Sequence, residues 1–429
     1  MLYTYYGDDF TGSTDVLETL ALAGIPAALF LAVPKPEDLL AFTDIQALGI
    51  AGDSRSRTPE WMSANLPAIF ATLKSFGAPV THYKTCSTFD SALHIGNIGR
   101  AIELGIATFT THDPLPTTHC PFVPIVVGAP HLGRYVCFGN LFATANDIVY
   151  RIDRHPTMSR HPVTPMREAD LRRHLAHQTE LPIALLDHRN LTETGLATAL
   201  ADHPAAILFD TLDEPSLAAT GALLWSHAQP SRLFAAGSSG LTQSLIPAWH
   251  SEGLIAPTAP SAAAIPVDQV LVLSGSCSPA TQTQIEWALA NGFHGIPLDP
   301  AALIANPLAS LGATLSQIHA GRSPILYTAL GPLSPTTPPL ASDLGAALGT
   351  LLHAILTKSN IRRTLLCGGD TSSHALQQLP VRALTFAAPL APGAPLCRAH
   401  AAGTPFHDAE FILKGGQIGP PNFFAEALG

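Results

Sequence analysis

Near its start the chain runs Gly7-Asp8-Asp9-Phe10-Thr11-Gly12-Ser13-Thr14-Asp15. Two adjacent carboxylates repel each other and cannot pair, so Asp8 and Asp9 call for either solvent or a ligand. Further on come Asp53 and Arg55 in DSRSR, Lys84, Ser87 and Thr88 in KTCSTFDS, and Arg134 after GAPHLG. A carboxylate can take the proton of an attacking hydroxyl. Fixed cations can hold an anionic substrate and offset charge that develops in a transition state. The second half carries Ser274-Gly275-Ser276-Cys277-Ser278, then Gly368-Gly369-Asp370-Thr371-Ser372-Ser373, then Lys414-Gly415-Gly416. Glycine lets a backbone approach phosphate, loop N–H groups donate, and a following helix N-terminus is partly positive. Hydroxyls at Ser276 and Thr371 add donors. The same residues would also suit ordinary helix starts, where Ser, Thr and Asp are favoured in any case.

These residues share an address. LYTYY, IQALGIAG, PVTHYKT and FVPIVVGAP are short apolar or β-rich runs that end at GDDFTG, DSRSR, CSTFDS and HLGR. LPIALLD, AAILFD and RLFAAG are three further runs of the same kind. Helical patterns fall between them. STDVLETLALA is expected to be a helix capped by Ser13 or Thr14 and ended by Gly24, and Thr58-Pro59-Glu60 is expected to open another. After residue 266 the rhythm restarts with VLVLSGSCSPATQTQ, SPILYTA, RTLLCGGDTSSHALQQL and AEFILKGGQIG. Alternating strands and helices argue for an α/β fold of two doubly wound domains, each with a mostly parallel sheet. In such sheets ligands gather beyond the carboxyl ends of the strands. The uncharged, aperiodic stretch APTAPSAAAIP, residues 256–266, is the expected linker, which gives domains 1–255 and 267–429.

Bulk composition narrows the function. A length of 429 residues makes more than one domain the default. Hydrophobic residues at 47% and charged residues at 13% supply ample core. A net charge of −10 with no run of Lys or Arg argues against nucleic-acid binding, although local cations can still hold a small anion. The most apolar early stretch, Val16 to Val33, contains Glu18, Gly24 and Pro26, so no membrane span is expected. The six cysteines form no C-x-x-C pair, which removes zinc-ribbon and dithiol readings and fits a reducing cytoplasm. The N-terminus has no basic n-region and carries acids by residue 8, unlike a signal peptide. Asp170, His174 and His177 fall at i, i+4 and i+7. That spacing could present ligands to a metal, but Arg172 and Arg173 beside it favour a solvated helix face. There is no G-x-x-x-x-G-K-[ST] and no G-x-G-x-x-G.

Taken together and in order, GDDFTGSTD, DSRSR, VLSGSCSPATQTQ, LCGGDTS and LKGGQIG resemble motifs of the four-carbon acid sugar kinases, once known only as a domain of unknown function. The resemblance implies an ATP-dependent kinase that phosphorylates a terminal hydroxyl of a small anionic sugar acid, with Mg2+ as the divalent cation. It also implies an N-terminal sugar-acid domain, a C-terminal nucleotide domain and a cleft between them. Asp8, Asp9, Asp53, Arg55, Lys84, Ser87, Thr88 and Arg134 then fall on the substrate side. Ser274, Ser276, Gly368, Gly369, Asp370, Thr371 and Gly415 fall on the nucleotide side. Asp9 is the expected general base, with Asp8 as alternate and Asp370 as competitor or cation partner. Threonate and erythronate kinases of the family carry K-x-D-S-T-L-R-G where this chain has KTCSTFDS, so Cys86 replaces an Asp and Asp90 an Arg. This variant resembles the branch that handles 3-oxo-isoapionate. Threonate, erythronate and 3-oxo-tetronate are the alternatives. A non-catalytic sugar-acid-binding regulator and a nicotinamide-dependent oxidoreductase are rival classes. Whether the chain pairs as a homodimer stays open.

Overall fold

The computed structural model describes residues 1–110, 122–145, 147–161, 163–256, 263–331 and 341–429. It leaves undescribed the side chains of residues 110, 229–231, 341–342 and 370–372. Most of the 256–266 stretch lies outside the described residues. The chain divides into two compact units. The first comprises Met1–Asp8, Thr19–Ala27 and Thr43–Ala259, the second Asp9–Glu18, Ala28–Phe42 and Pro260–Gly429. The division falls between the two adjacent acids.

The first unit holds a seven-stranded sheet in the order Ala47–Ala51, Tyr3–Gly7, Val80–Lys84, Leu233–Gly237, Val123–Val126, Ala206–Phe209, Ile183–Leu186. All of its pairings are parallel. Tyr3–Gly7, Ala47–Ala51 and Val80–Lys84 are buried at every position, as strands of parallel sheets must be when both faces are covered. Gly7 lies level with both Ala51 and Lys84. The loops that begin at Asp8, Gly52 and Thr85 therefore leave the sheet at one height. Tyrosine packing dictates the glycines nearby, because a Cβ on Gly49 would run into the Tyr5 ring and one on Gly52 into the Tyr6 hydroxyl. A separate antiparallel sheet of Arg134–Cys137, Asn140–Ala145 and Ile148–Arg151 follows. Sequence periodicity did not reveal it.

The second unit repeats the principle. His294–Pro297, Pro324–Tyr327, Leu271–Ser274, Arg363–Cys367 and Glu410–Lys414 pair in parallel, in that order. Ser274 is level with Cys367, and Cys367 with Lys414, so the three glycine loops also start at one height. The sheet continues antiparallel through Ala394–His400, Ala383–Ala391 and Ala27–Phe30. That hairpin is hidden in sequence by Pro389, Pro392 and Pro395. It tolerates them because its register shifts between Phe386 and Ala388 and again between Ala388 and Ala391, where ladder donors are not needed. Both units are thus α/β with mostly parallel sheets, as expected. Buried Arg363 ties this unit's ends together, donating to Glu410 at 2.8 Å and to the carbonyls of Ala427 and Ile265 at 2.7 and 2.6 Å.

Two local expectations are corrected. The first helix spans Phe10–Leu22 and is capped by Asp9 rather than Ser13 or Thr14. Gly12 N–H donates to Asp9 Oδ1 at 2.6 Å and Ser13 N–H to the Asp9 carbonyl at 3.1 Å. The Asp170–His177 segment is not a solvated helix face. Only Leu171–Leu175 is helical, and His174 is buried, with Nε2 2.9 Å from Ser91 Oγ and 3.1 Å from Gln178 Nε2. Burial pushes the His174 imidazole down to about 4. Asp170 caps that helix and pairs with Arg172 at 2.7 Å, so the three residues do not converge. Among the described residues no group of three or more His, Cys, Asp or Glu could hold a metal ion, and no helix is long and apolar enough to cross a membrane.

Candidate active site

In the first unit the strand ends gather three cations and three carboxylates. Asp8 is buried directly after Tyr3–Gly7. Its N–H donates to the Lys84 carbonyl at 2.9 Å and its carbonyl accepts from Arg55 N–H at 3.1 Å. The Asp8 backbone thus fastens the DSRSR and KTCSTFDS loops. Asp53 Oδ2 accepts from Arg57 through Nε at 3.0 Å and through Nη2, both donors converging on one carboxylate oxygen. Lys84, 2% exposed, donates from Nζ to the Thr85 carbonyl at 2.8 Å. Ser87 is half-buried in the same loop. Thr88 is buried and donates to Asp90 at 2.5 Å.

Asp90 organises this cluster. Its carboxylate accepts Arg55 Nη2 at 2.7 Å, Thr88 Oγ1 at 2.5 Å and Thr164 Oγ1 at 3.0 Å. Burial acts to raise its pKa. The charges of Arg55 and His161, with the Thr88 and Arg55 hydrogen bonds, more than offset that and hold the carboxyl well below the usual range. Sequence reading marked residue 90 as a lost arginine. The structure shows that the acid at this position instead takes Arg55 as partner. The Arg55 side chain remains 23% exposed. A guanidinium carries five donors, and the Asp90 contact uses Nη2. Arg134 begins the small antiparallel sheet, half-buried, with Nη1 on the Leu132 carbonyl.

In the second unit, Asp9 meets the glycine loops. A Cβ on Gly369 would lie 3.2 Å from Asp9 Oδ2, a contact tight enough that the carboxylate would have to give way by a few tenths of an ångström. The neighbouring Gly368 sits at φ +109°, a conformation that side chains resist. Ser373 Oγ, one turn along the helix Gly369–Leu376, accepts from Phe10 N–H at 3.3 Å and donates to the Gly369 carbonyl at 2.9 Å. Thr11 Oγ1 donates to Asp9 Oδ2 at 3.0 Å, so both carboxylate oxygens are oriented. The side chains of Asp370 and Thr371 lie outside the described residues.

Ser274 and Ser276 are buried where Leu271–Ser274 ends. Ser276 Oγ accepts from Ser278 N–H at 3.3 Å and donates to Thr281 Oγ1 at 3.1 Å, and Thr281 in turn donates to the Gly416 carbonyl at 3.1 Å. These hydroxyls brace the loop against the Gly415-Gly416 turn. A Cβ on Gly416 would meet Ser278 Cβ at 3.0 Å and Ser276 Oγ at 3.2 Å. The helix Pro279–Ala290 then starts without a side-chain cap, leaving its first N–H groups for another acceptor. Sequence reading missed Asp90 as a partner of Arg55, and it missed Arg57 and Thr281; it marked the Lys414-Gly415-Gly416 turn but gave Lys414 no role of its own. Only Lys414 carried a local signal, a lysine at a strand end beside two glycines.

One unit therefore presents paired charges, and the other an acid beside glycine loops, each set at parallel strand ends. This is the arrangement of a two-part α/β protein whose polar residues collect beyond the carboxyl ends of parallel strands, where such folds bind small molecules. A family model described as "Sugar-binding N-terminal domain" matches residues 3–245, and one described as "Nucleotide-binding C-terminal domain" matches residues 271–424. The chain belongs to the four-carbon acid sugar kinase family. It is 42% identical to the 3-oxo-isoapionate kinase of Paraburkholderia graminis, over 99% of this chain and 93% of that one. It is 29% identical to the 3-oxo-tetronate kinase of Cupriavidus necator, over 98% and 95%. A solved Haemophilus influenzae protein with a domain of unknown function shares the fold, with a TM-score of 0.68 at 23% identity over 99% of this chain and 98% of that one.

Proposed function

We propose that the chain is an ATP-dependent kinase that phosphorylates a terminal hydroxyl of a small sugar acid, with 3-oxo-isoapionate the first candidate substrate and 3-oxo-tetronate the second. The observation that carries this reading is Asp9 held against Gly369, an oriented carboxylate beside a glycine loop that opens a helix. The relatives' names supply the substrate choice.

In this reading the first unit, residues 1–255 without the segments that join the second, takes the sugar acid, and Arg55, Lys84 and Arg134 are the cations for its carboxylate. The second takes the nucleotide on the loops at 274–278, 368–371 and 415–416. The substrate hydroxyl oxygen attacks the γ-phosphorus and the bond to the β-bridging oxygen breaks. Asp9 accepts the hydroxyl proton, and ADP leaves with the bridging electron pair. Asp8 is the alternate base. The donor chemistry fits a nucleotide, since the loops are cradles that a Cβ at Gly369 or Gly416 would fill. Mg2+ bound with ATP neutralises phosphate charge, and the carboxylate of Asp370 is the candidate partner for it.

A coupled ADP-release assay with ATP and Mg2+ across 3-oxo-isoapionate, 3-oxo-tetronate, threonate and erythronate tests the reading. Release that depends on one of the oxo acids is expected. No acid-dependent release from folded protein with any of the four overturns it. Cytoplasmic operation follows from the same chemistry, which needs cellular ATP.

A further inference from the structure

Two basic side chains of the second unit are fully buried, Arg363 and Lys414. Arg363 has Glu410 for a counter-charge. The acceptors of Lys414 among the described side chains and backbone are neutral: Thr281 Oγ1 at 3.1 Å, the Gly415 carbonyl at 3.0 Å and the Gly416 carbonyl at 3.5 Å. Burying an ammonium against neutral dipoles alone is unfavourable, and burial pushes its pKa down from the usual value. A chain that retains such a group at the mouth of three glycine loops has a use for the charge.

The geometry indicates what that use is. In a trans peptide the C=O and N–H point in opposite directions. Drawing the Gly415 and Gly416 carbonyls inward onto Nζ turns the N–H groups of Gly416 and Gln417 away from Lys414. Gly416 packs against Ser276 and Ser278, at the uncapped start of the helix Pro279–Ala290. The result is a run of backbone donors beside a helix N-terminus, with a positive charge sealed beneath.

We propose that Lys414 is the positioning residue of the phosphate site, orienting the 415–417 peptides toward the nucleotide's phosphates and adding its charge to their field without touching them. This rests on the nucleotide reading of the second unit given above.

The test is calorimetric titration of the full chain with ADP and, separately, adenosine, for wild type and Lys414→Gln. Glutamine keeps donors for Thr281 and Gly415 but carries no charge. The expected result is ADP affinity weakened about tenfold or more, with adenosine affinity within about twofold, since only the phosphates feel the lost charge. A role confined to holding the loop would weaken both alike, and an unchanged ratio of the two affinities overturns the proposal. Should Lys414→Gln not fold, Lys414→Met, which fills the same space without the charge, is read by the same ratio, and a ratio that stays at its wild-type value overturns the proposal there too. If wild type itself binds adenosine and ADP no better than an inert protein, the nucleotide reading fails first and this proposal falls with it.

Discussion

Asp90→Asn is the most informative single change in the first unit. The side chain is fully buried and accepts three hydrogen bonds, one of them an ion pair with Arg55. Asparagine keeps the shape but loses the charge, and it turns one acceptor into an amide donor that faces donors. Removing one partner of a buried ion pair costs about 3–5 kcal/mol when the other charge is stranded. Arg55 retains 23% side-chain exposure and can turn toward water, so about 2–3 kcal/mol is expected at neutral pH. The pH dependence has a definite sign. The native pKa of Asp90 is depressed, so its contribution is fully present above the ordinary carboxylate pKa. That contribution drains away as pH falls through this value toward the native one. The gap between wild type and variant should narrow by roughly 1 kcal/mol between pH 7 and pH 3. Urea unfolding at several pH values measures it, and the KM for the sugar acid, expected to rise as Arg55 loses its anchor, gives the functional counterpart. A variant within about 0.5 kcal/mol of wild type at pH 7, or a gap that widens in acid, refutes the reasoning.

Two further predictions concern the second unit. Asp9→Asn should abolish turnover while leaving ATP affinity and stability nearly intact, because asparagine caps the helix Phe10–Leu22 as well as aspartate does. A comparable loss of ATP affinity, measured by titration, would place the carboxylate in nucleotide binding instead. Glu18 is buried, accepts Gly393 N–H at 2.7 Å, and is pushed up to about 7 by burial, with help from Asp15. The unfolded chain sheds this proton near pH 4.5 and the native chain near 7, so stability falls as pH rises through that window and the penalty is full above it. Glu18→Gln should therefore gain roughly 2–3 kcal/mol at pH 8, seen as a Tm rise of several degrees, and nothing at pH 4. An equal gain at both pH values would refute it.

Much of the α/β framework was legible in sequence because buried parallel strands read as continuous apolar runs, and because parallel register puts their ends at one height. That is why Asp8, Asp53 and Lys84 could be grouped before any coordinates, and Ser274, Gly368 and Gly415 likewise. The hairpin at residues 383–400 escaped because prolines obscured it and bulges excused them. The sheet at residues 134–151 escaped because its strands are only four to six residues long and the last, Ile148–Arg151, exposes its apolar residues, with Ile148 and Val149 55% and 53% exposed.

Residue types and their order along the chain carried the family, through its motifs, and the two-part architecture and the loops that gather at strand ends, since those follow from local periodicity and strand-end position. Tertiary structure alone decided how the charges are partnered. Arg55 is held by an acid 35 positions away, Asp9 sits against a glycine 360 positions away, and Lys414 is sealed beneath a turn braced by Thr281. Such pairings depend on distance and burial after the chain has closed, and no local pattern encodes either.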